Sequence, residues 1–283
     1  MIAPGGAPTE RIRLTEVRAD ATVEREDEAA AEEPLEIRVE PREATENDRY
    51  RIAVTMRTPG ADFELAAGFL FSEGLLRGAD DVTRIAYCTD PGELQQFNIV
   101  NVSLAPGVPF DRERFRRNVY TTSSCGVCGK AAIEQVRAVV GRRPTGNFRI
   151  SPEVLGSLPG RISSAQRVFG RTGGLHAAAL FRPDGELLLL REDVGRHNAV
   201  DKLVGARLLA HALPDSNTVL LVTGRAGFEL VQKAAVAGIP FLAAIGAPST
   251  LAISLAQEEG MTLAGFVRPG RFNLYCGVDR VVT

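Results

Sequence analysis

Cys125 and Cys128 form the only C-x-x-C of the chain, in Ser123-Ser124-Cys125-Gly126-Val127-Cys128-Gly129-Lys130, and are two of its four cysteines. A thiolate here could bind metal, exchange disulfides or carry sulfur. The segment precedes a helix-forming stretch, residues 130–140. The partial positive charge of a helix N-terminus, together with Lys130, lowers a thiol pKa. A zinc site needs about four ligands, and Cys88, Cys276, His176 and His197 offer no second spaced pair. The zinc deaminases combine an α/β sheet with P-C-x-x-C and an upstream H-x-E. Ser124 stands where that proline would be, and no upstream H-x-E exists. A thioredoxin-like dithiol expects a buried strand just ahead of the pair, which this sequence lacks. Cys88 and Cys276 lie in apolar strand-like segments and read as packing residues.

A second constellation sits at three strand-to-helix junctions: Glu192-Asp193-Val194-Gly195-Arg196-His197-Asn198, Thr223-Gly224-Arg225-Ala226-Gly227, and Ile245-Gly246-Ala247-Pro248-Ser249-Thr250. Glycines admit a ligand close to the backbone, helix N-termini favour anions, and Arg196 and Arg225 can fork onto phosphate oxygens. One such junction needs no more than a turn glycine; three, with two arginines and a histidine, point to a ligand crevice. None is a P-loop or a G-x-G-x-x-G fingerprint. A third feature is a Pro-Gly turn between two strands, Phe266-Val267-Arg268-Pro269-Gly270-Arg271, followed by Asn273. Its arginines suit phosphates and Asn273 a base edge; a plain hairpin with solvated arginines is the simpler alternative. His211 reads as structural.

The elements that must position these groups fall into two halves. Residues 1–33 are acidic and Ala-rich and read as a partly disordered leader with one short strand near 11–17. Residues 34–120 read as a small α+β domain, with strands at 35–39, 50–54, 82–88 and 97–104 and a helix opening with Asp62 in its capping region. After the C-x-x-C loop, 121–130, residues 131–283 read as a three-layer α/β domain. Ser151-Pro152 opens one of its helices, and an apolar hairpin turns at Pro183-Asp184-Gly185. Helices at 198–210, 228–237 and 251–259 then alternate with strands at 218–222, 241–245 and 262–267. The runs Val219-Leu220-Leu221-Val222 and Phe241-Leu242-Ala243-Ala244 are apolar throughout, as strands covered on both faces must be. The fold class is therefore α/β, or α+β overall.

At 283 residues, 45% hydrophobic and 24% charged, the composition is that of an ordinary soluble protein. A net charge of −2 and the absence of Trp argue against a nucleic-acid partner. No apolar run suits a membrane span, the first residues do not read as a signal peptide, and four cysteines make no disulfide framework. A cytoplasmic protein with reduced thiols is the expectation.

The motifs together resemble the formate dehydrogenase accessory sulfurtransferase (FdhD) family. They are Met56-Arg57-Thr58-Pro59-Gly60, Gly68-Phe69-Leu70-Phe71-Ser72-Glu73-Gly74, Ser124-Cys125-Gly126-Val127-Cys128-Gly129, Thr172-Gly173-Gly174-Leu175-His176, the run from Arg191 to Lys202, Thr223-Gly224-Arg225, Ala247-Pro248-Ser249 and the segment Gly265 to Tyr275. The resemblance spans residues 34–276. It implies a small α+β domain followed by a cytidine-deaminase-like α/β domain, in a homodimer. It also implies a sulfurtransferase that takes persulfide sulfur from a cysteine desulfurase and delivers it to the molybdenum (or tungsten) bis-guanine-dinucleotide cofactor of formate dehydrogenase, held as a client. By resemblance Cys125 is the persulfide carrier and Cys128 its assisting partner, while Phe266, Val267, Arg268, Pro269, Gly270, Arg271 and Asn273 meet the guanine dinucleotide. A dithiol–disulfide oxidoreductase and a non-catalytic molybdenum cofactor chaperone are the alternatives.

Overall fold

Alternation in Leu35-Glu36-Ile37-Arg38-Val39 puts its three apolar side chains on one buried face of strand β3 (Glu33–Glu40). In the computed structural model, which describes residues 6–41, 49–90, 96–110 and 143–282, β3 lies between β4 (Tyr50–Arg57) and β6 (Ile99–Leu104). With β5 (Val82–Tyr87) these form a four-stranded sheet of order β4-β3-β6-β5. Helix α1 (Asp62–Ser72) covers its apolar face with Leu65, Ala66 and Leu70. The helix ends where expected, with Gly74 at φ 76. Its start differs from expectation. Ala61, at φ 57, is the N-cap, and no side chain caps the helix. Asp62 instead pairs with the fully buried Arg57 at 3.1 and 2.9 Å, and Arg57 also reaches Glu33 at 3.0 Å.

The second half builds a six-stranded sheet of order β12-β11-β10-β9-β7-β8. Its strands are β7 (His176–Phe181), β8 (Leu187–Asp193), β9 (Val219–Val222), β10 (Phe241–Ala244), β11 (Thr262–Arg268) and β12 (Arg271–Cys276). Alternate residues of the central strands serve two cores. Leu220, Val222, Leu242 and Ala244 face α4 (Arg196–Leu209), α5 (Phe228–Val236) and α6 (Thr250–Glu258). Val219, Leu221, Phe241 and Ala243 face α2 (Pro152–Ser163). The α/β class read from the sequence is therefore the observed one, with the sheet covered on both faces. Ser151 accepts a hydrogen bond from Val154 N at 3.2 Å and caps α2, as its position ahead of Pro152 predicts. Strand β8 runs on into the junction read from the sequence, so Arg191, Glu192 and Asp193 belong to the sheet. Among the described residues no helix is long and apolar enough to cross a membrane.

The acidic leader departs most from expectation. Thr9–Val17 (β1) and Thr22–Ala30 (β2) form a nine-residue antiparallel hairpin instead of one short strand in a partly disordered tail. Arg171, on the short helix α3 (Phe169–Thr172), anchors it through Glu28 at 2.5 Å and Thr9 at 3.4 Å. The C-x-x-C loop, 121–130, and the helix-forming stretch 130–140 lie outside the described residues.

The two sheets are joined where α1 crosses α4. A Cβ on Gly68 would lie 1.9 Å from Asp201 O, and one on Gly205 would lie 1.8 Å from Glu64 O. Only glycine permits this backbone approach. Charged pairs flank the crossing: Lys233 on Asp201 at 2.8 and 2.9 Å with Ser72 joining at 3.0 Å, and Lys202 on Asp193 at 2.7 Å. All these side chains are buried, so removing one partner strands a charge at about 3–5 kcal/mol.

The crossing generates a direct test. Gly68→Ala should cost at least about 3 kcal/mol and lower the melting temperature by on the order of 10 °C. Gly160→Ala, in α2 where a Cβ meets nothing within 4 Å, should be neutral or stabilising. Equal melting temperatures for the two variants in calorimetry would contradict the close crossing.

Candidate functional site

Strands β8, β9, β10 and β11 run parallel to one another, while β7 and β12 run antiparallel to their neighbours. The carboxyl ends of the first four and the starts of the other two therefore reach one edge of the sheet. All three junctions and the Pro-Gly hairpin converge there, as crevices of open α/β sheets do.

Main-chain hydrogen bonds lace these loops together. Gly246 N donates to Gly224 O at 3.1 Å, Phe266 N to Gly246 O at 3.1 Å, Ala226 N to Ala247 O at 3.1 Å and Ser249 N to Ala226 O at 3.0 Å. A Cβ on Gly246 would sit 2.9 Å from Gly224 O, so glycine is needed for the approach. Thr223 Oγ1 accepts from Ala177 N at 2.9 Å and ties the start of β7 to the end of β9. Phe266 is held at φ 55 on an irregular stretch of the β11–β12 ladder. For a bulky side chain that geometry costs about 1–3 kcal/mol, a strain often concentrated at binding loops.

At the end of β8, Asp193 uses both oxygens. Oδ1 accepts from Gly195 N (2.8 Å) and Asn198 Nδ2 (3.0 Å), and Oδ2 accepts from Thr58 N (3.2 Å) beside Lys202. Asn198 also donates to Met56 O at 2.7 Å, which fastens the Met56–Thr58 backbone to this edge. His197 Nε2 lies 2.6 Å from Glu229 Oε2 and holds that carboxyl below its usual range. Arg196 and His176 are left facing Gly224. A Cβ there would meet Arg196 Cδ at 3.4 Å and His176 Cε1 at 3.5 Å.

The residues singled out from the sequence distribute as follows. Phe266, Arg268, Pro269, Gly270, Arg271 and Asn273 are exposed, and the loop at 268–270 leans on α2 at Gly156. Val267 is buried in the core under α2, so its side chain packs the hairpin instead of facing a ligand. Arg225 is exposed, while Arg196 is partly buried. Cys125 and Cys128 lie outside the described residues. Cys88 is buried, and Cys276 points its sulfur at Met261 O (3.3 Å), burial pushing the thiol pKa up; both behave as packing thiols. His211, at φ 52 just beyond α4, is exposed and does not pack. The place of His176 beside Arg196 was not legible from spacing, since His176 opens β7 and Arg196 opens α4, and only the fold brings the two together at Gly224.

Burial first, then the positive charge of Arg196, pushes the His176 pKa below the ordinary imidazole value, so the ring is neutral at pH 7. Removing the Arg196 charge should move it back up. The ring resonances of His176 followed by NMR should titrate below pH 6.5 in the parent and at higher pH in Arg196→Gln. An unchanged midpoint would show that burial alone keeps the ring neutral.

Comparison with known proteins accounts for nearly the whole chain. Residues 30–282 match the model of the FdhD/NarQ family. The Sulfur carrier protein FdhD of Streptomyces avermitilis is 54% identical over 281 residues, covering 98% of this chain and 96% of the relative. The protein of that name from Mycolicibacterium paratuberculosis is 50% identical over 276 residues, 96% and 98% of the two chains. A crystal structure from Desulfotalea psychrophila, described provisionally as a formate dehydrogenase accessory protein, superposes with a TM-score of 0.73 at 26% identity. It covers 97% of this chain and 99% of that one. With the family model matched over residues 30–282 and relatives 50–54% identical over nearly the full length, the chain belongs to the FdhD/NarQ family.

Proposed function

We propose that this protein is a sulfur carrier in the maturation of formate dehydrogenase. The reading is carried by the 54% identity, over 98% of the chain, to a relative named as a sulfur carrier, in a sequence that has one C-x-x-C. Cys125 is the carrier. Its thiolate attacks the outer sulfur of a cysteine desulfurase persulfide; the sulfur–sulfur bond of the donor breaks, the donor leaves as thiolate, and Cys125 becomes the persulfide. Cys128 then attacks the inner sulfur of Cys125. This releases hydrosulfide to the client and leaves a Cys125–Cys128 disulfide, which a cellular dithiol reduces before the next cycle.

The client is the molybdenum (or tungsten) bis(molybdopterin guanine dinucleotide) cofactor, a substrate that passes on to formate dehydrogenase. Phe266, Arg268, Pro269, Gly270, Arg271 and Asn273 are the exposed contacts for its guanine dinucleotide, with Val267 fixing the strand beneath them. The cation-rich end of the sheet supports an anionic client, since Arg196 opens α4, Arg225 sits between β9 and α5, and Arg268 and Arg271 flank the β11–β12 turn. The protein works as a cytoplasmic homodimer in this reading.

Incubation with a cysteine desulfurase and cysteine, followed by peptide mass spectrometry without reductant, tests the carrier step. One added sulfur on Cys125 is expected, absent in Cys125→Ala and retained in Cys128→Ala. Cells carrying Cys125→Ala should lose formate dehydrogenase activity. Oxidation of the pair with no added sulfur would replace sulfur carriage with dithiol exchange.

A further inference from the structure

The two edges of the four-stranded sheet are unlike. Strand β5 carries Arg84 in its middle, a charge of the kind that keeps a sheet edge from pairing with another chain. On the opposite edge, β4 runs Ile52-Ala53-Val54-Thr55-Met56 with no charge and no proline. The side chains of Val54 and Met56 are exposed there. Glu36 N donates to Asn98 O, toward β6. The peptide groups of Leu35 and Ile37 therefore turn the other way and face Thr55 and Ala53 across the β3–β4 ladder. Those of Val54 and Met56 point out of the sheet. Asn198 Nδ2 donates to Met56 O at 2.7 Å. Among the described residues, nothing outside the ladder bonds to the main chain of Val54.

A cleft of 260 Å³ opens beside this edge, between β4, the end of α1 and the first turns of α4 and α5. Ile37, Ala53 and Phe69 give it an apolar lining. Its charge comes from Glu73, Asp201 and Glu229 against Lys233 and His197, so the carboxylates outnumber the cations. Lys233 is taken by Asp201 and His197 by Glu229. Glu73, just past the end of α1, has no side-chain hydrogen bond or ion pair among the described residues. Burial pushes its carboxyl pKa up, against the weaker pull of Lys233, as befits a carboxylate short of a cation.

An extended chain answers both features: its backbone adds a strand to the edge, and a cationic side chain pairs with the carboxylate. A second copy of this chain is the poorer occupant, because pairing two β4 edges about Val54 sets two acidic clefts side by side. We propose that the edge of β4 receives an extended segment of a partner protein, which pairs with Val54 and places a lysine or arginine side chain against Glu73. The contact does not rest on the reading of the chain as a sulfur carrier.

Fluorescence anisotropy with a labelled heptapeptide of alternating threonine and valine, lysine at its centre, tests this against the same peptide with norleucine in place of lysine. The full-length protein should bind the lysine peptide at least about tenfold more tightly, the worth of a charge-assisted bond. Glu73→Gln should erase that preference. Proline is tolerated on a strand edge where its missing N–H faces solvent, so Val54→Pro should keep the melting temperature and lose both peptides. The proposal is overturned if the lysine peptide does not bind, if norleucine serves the parent as well as lysine, or if Val54→Pro binds as the parent does. It is overturned too if Val54→Pro turns a dimer into a monomer in analytical ultracentrifugation, since the edge would then be the joint between two copies.

Discussion

The backbone contact of Gly68 with Asp201 and of Gly205 with Glu64 is the constraint on which the rest depends. At that distance no side chain intervenes between α1 and α4, so the four-stranded sheet and the six-stranded sheet are held through two helices in direct main-chain contact. The core reflects this: residues of β3, β6 and α1 belong to the same apolar cluster as α4, α5 and one face of the large sheet. Charged pairs around the crossing point the same way, since Ser72 from α1 joins the Asp201–Lys233 pair between α4 and α5. The Arg191–Glu64 pair, at 2.5 and 2.7 Å, locks α1 to β8 as well. A buried ion pair is weak evidence of net stability, but several in one interface fix its register, because any slip would leave a charge without its partner.

From that register follows the geometry of the sheet edge. Thr58 N reaches Asp193 and Asn198 reaches Met56 O only because the crossing brings the β4–α1 connection against the end of β8. Asp193, consumed in these bonds, terminates β8 and starts α4 with Arg196 turned toward Gly224. A carboxylate that serves first as a structural hub thereby decides where a cation stands.

What the sequence made legible and what it hid divide on physical grounds. The all-apolar strands β9 and β10, the Ser151 cap and the turns at Gly185 and Gly270 follow from local pattern and backbone preference, and the structure holds them. The β1–β2 hairpin was hidden because Thr22–Ala30 is mostly charged, with its first five residues exposed on both faces and none of the nine buried, which removes the period-two signal. Asp62 was misread because its partner Arg57 satisfies it from the preceding strand, and a cap is only one use of an acid near a helix start. The pairing of Gly68 with Gly205, and of His176 with Arg196, joins residues distant in sequence, which no local spacing encodes. Of the candidate site, the loops were legible from their glycines and arginines, while the division of labour among them was not.

The lacing of Gly224, Gly246 and Phe266 by main-chain hydrogen bonds bears on how such a protein can change over generations. A rim held by peptide groups keeps its shape whichever side chains project from it, provided the close-approach glycine remains. Substitution at the exposed rim positions can then retune what is gripped without disturbing how the rim is built, so ligand preference and folding are free to drift independently along this edge.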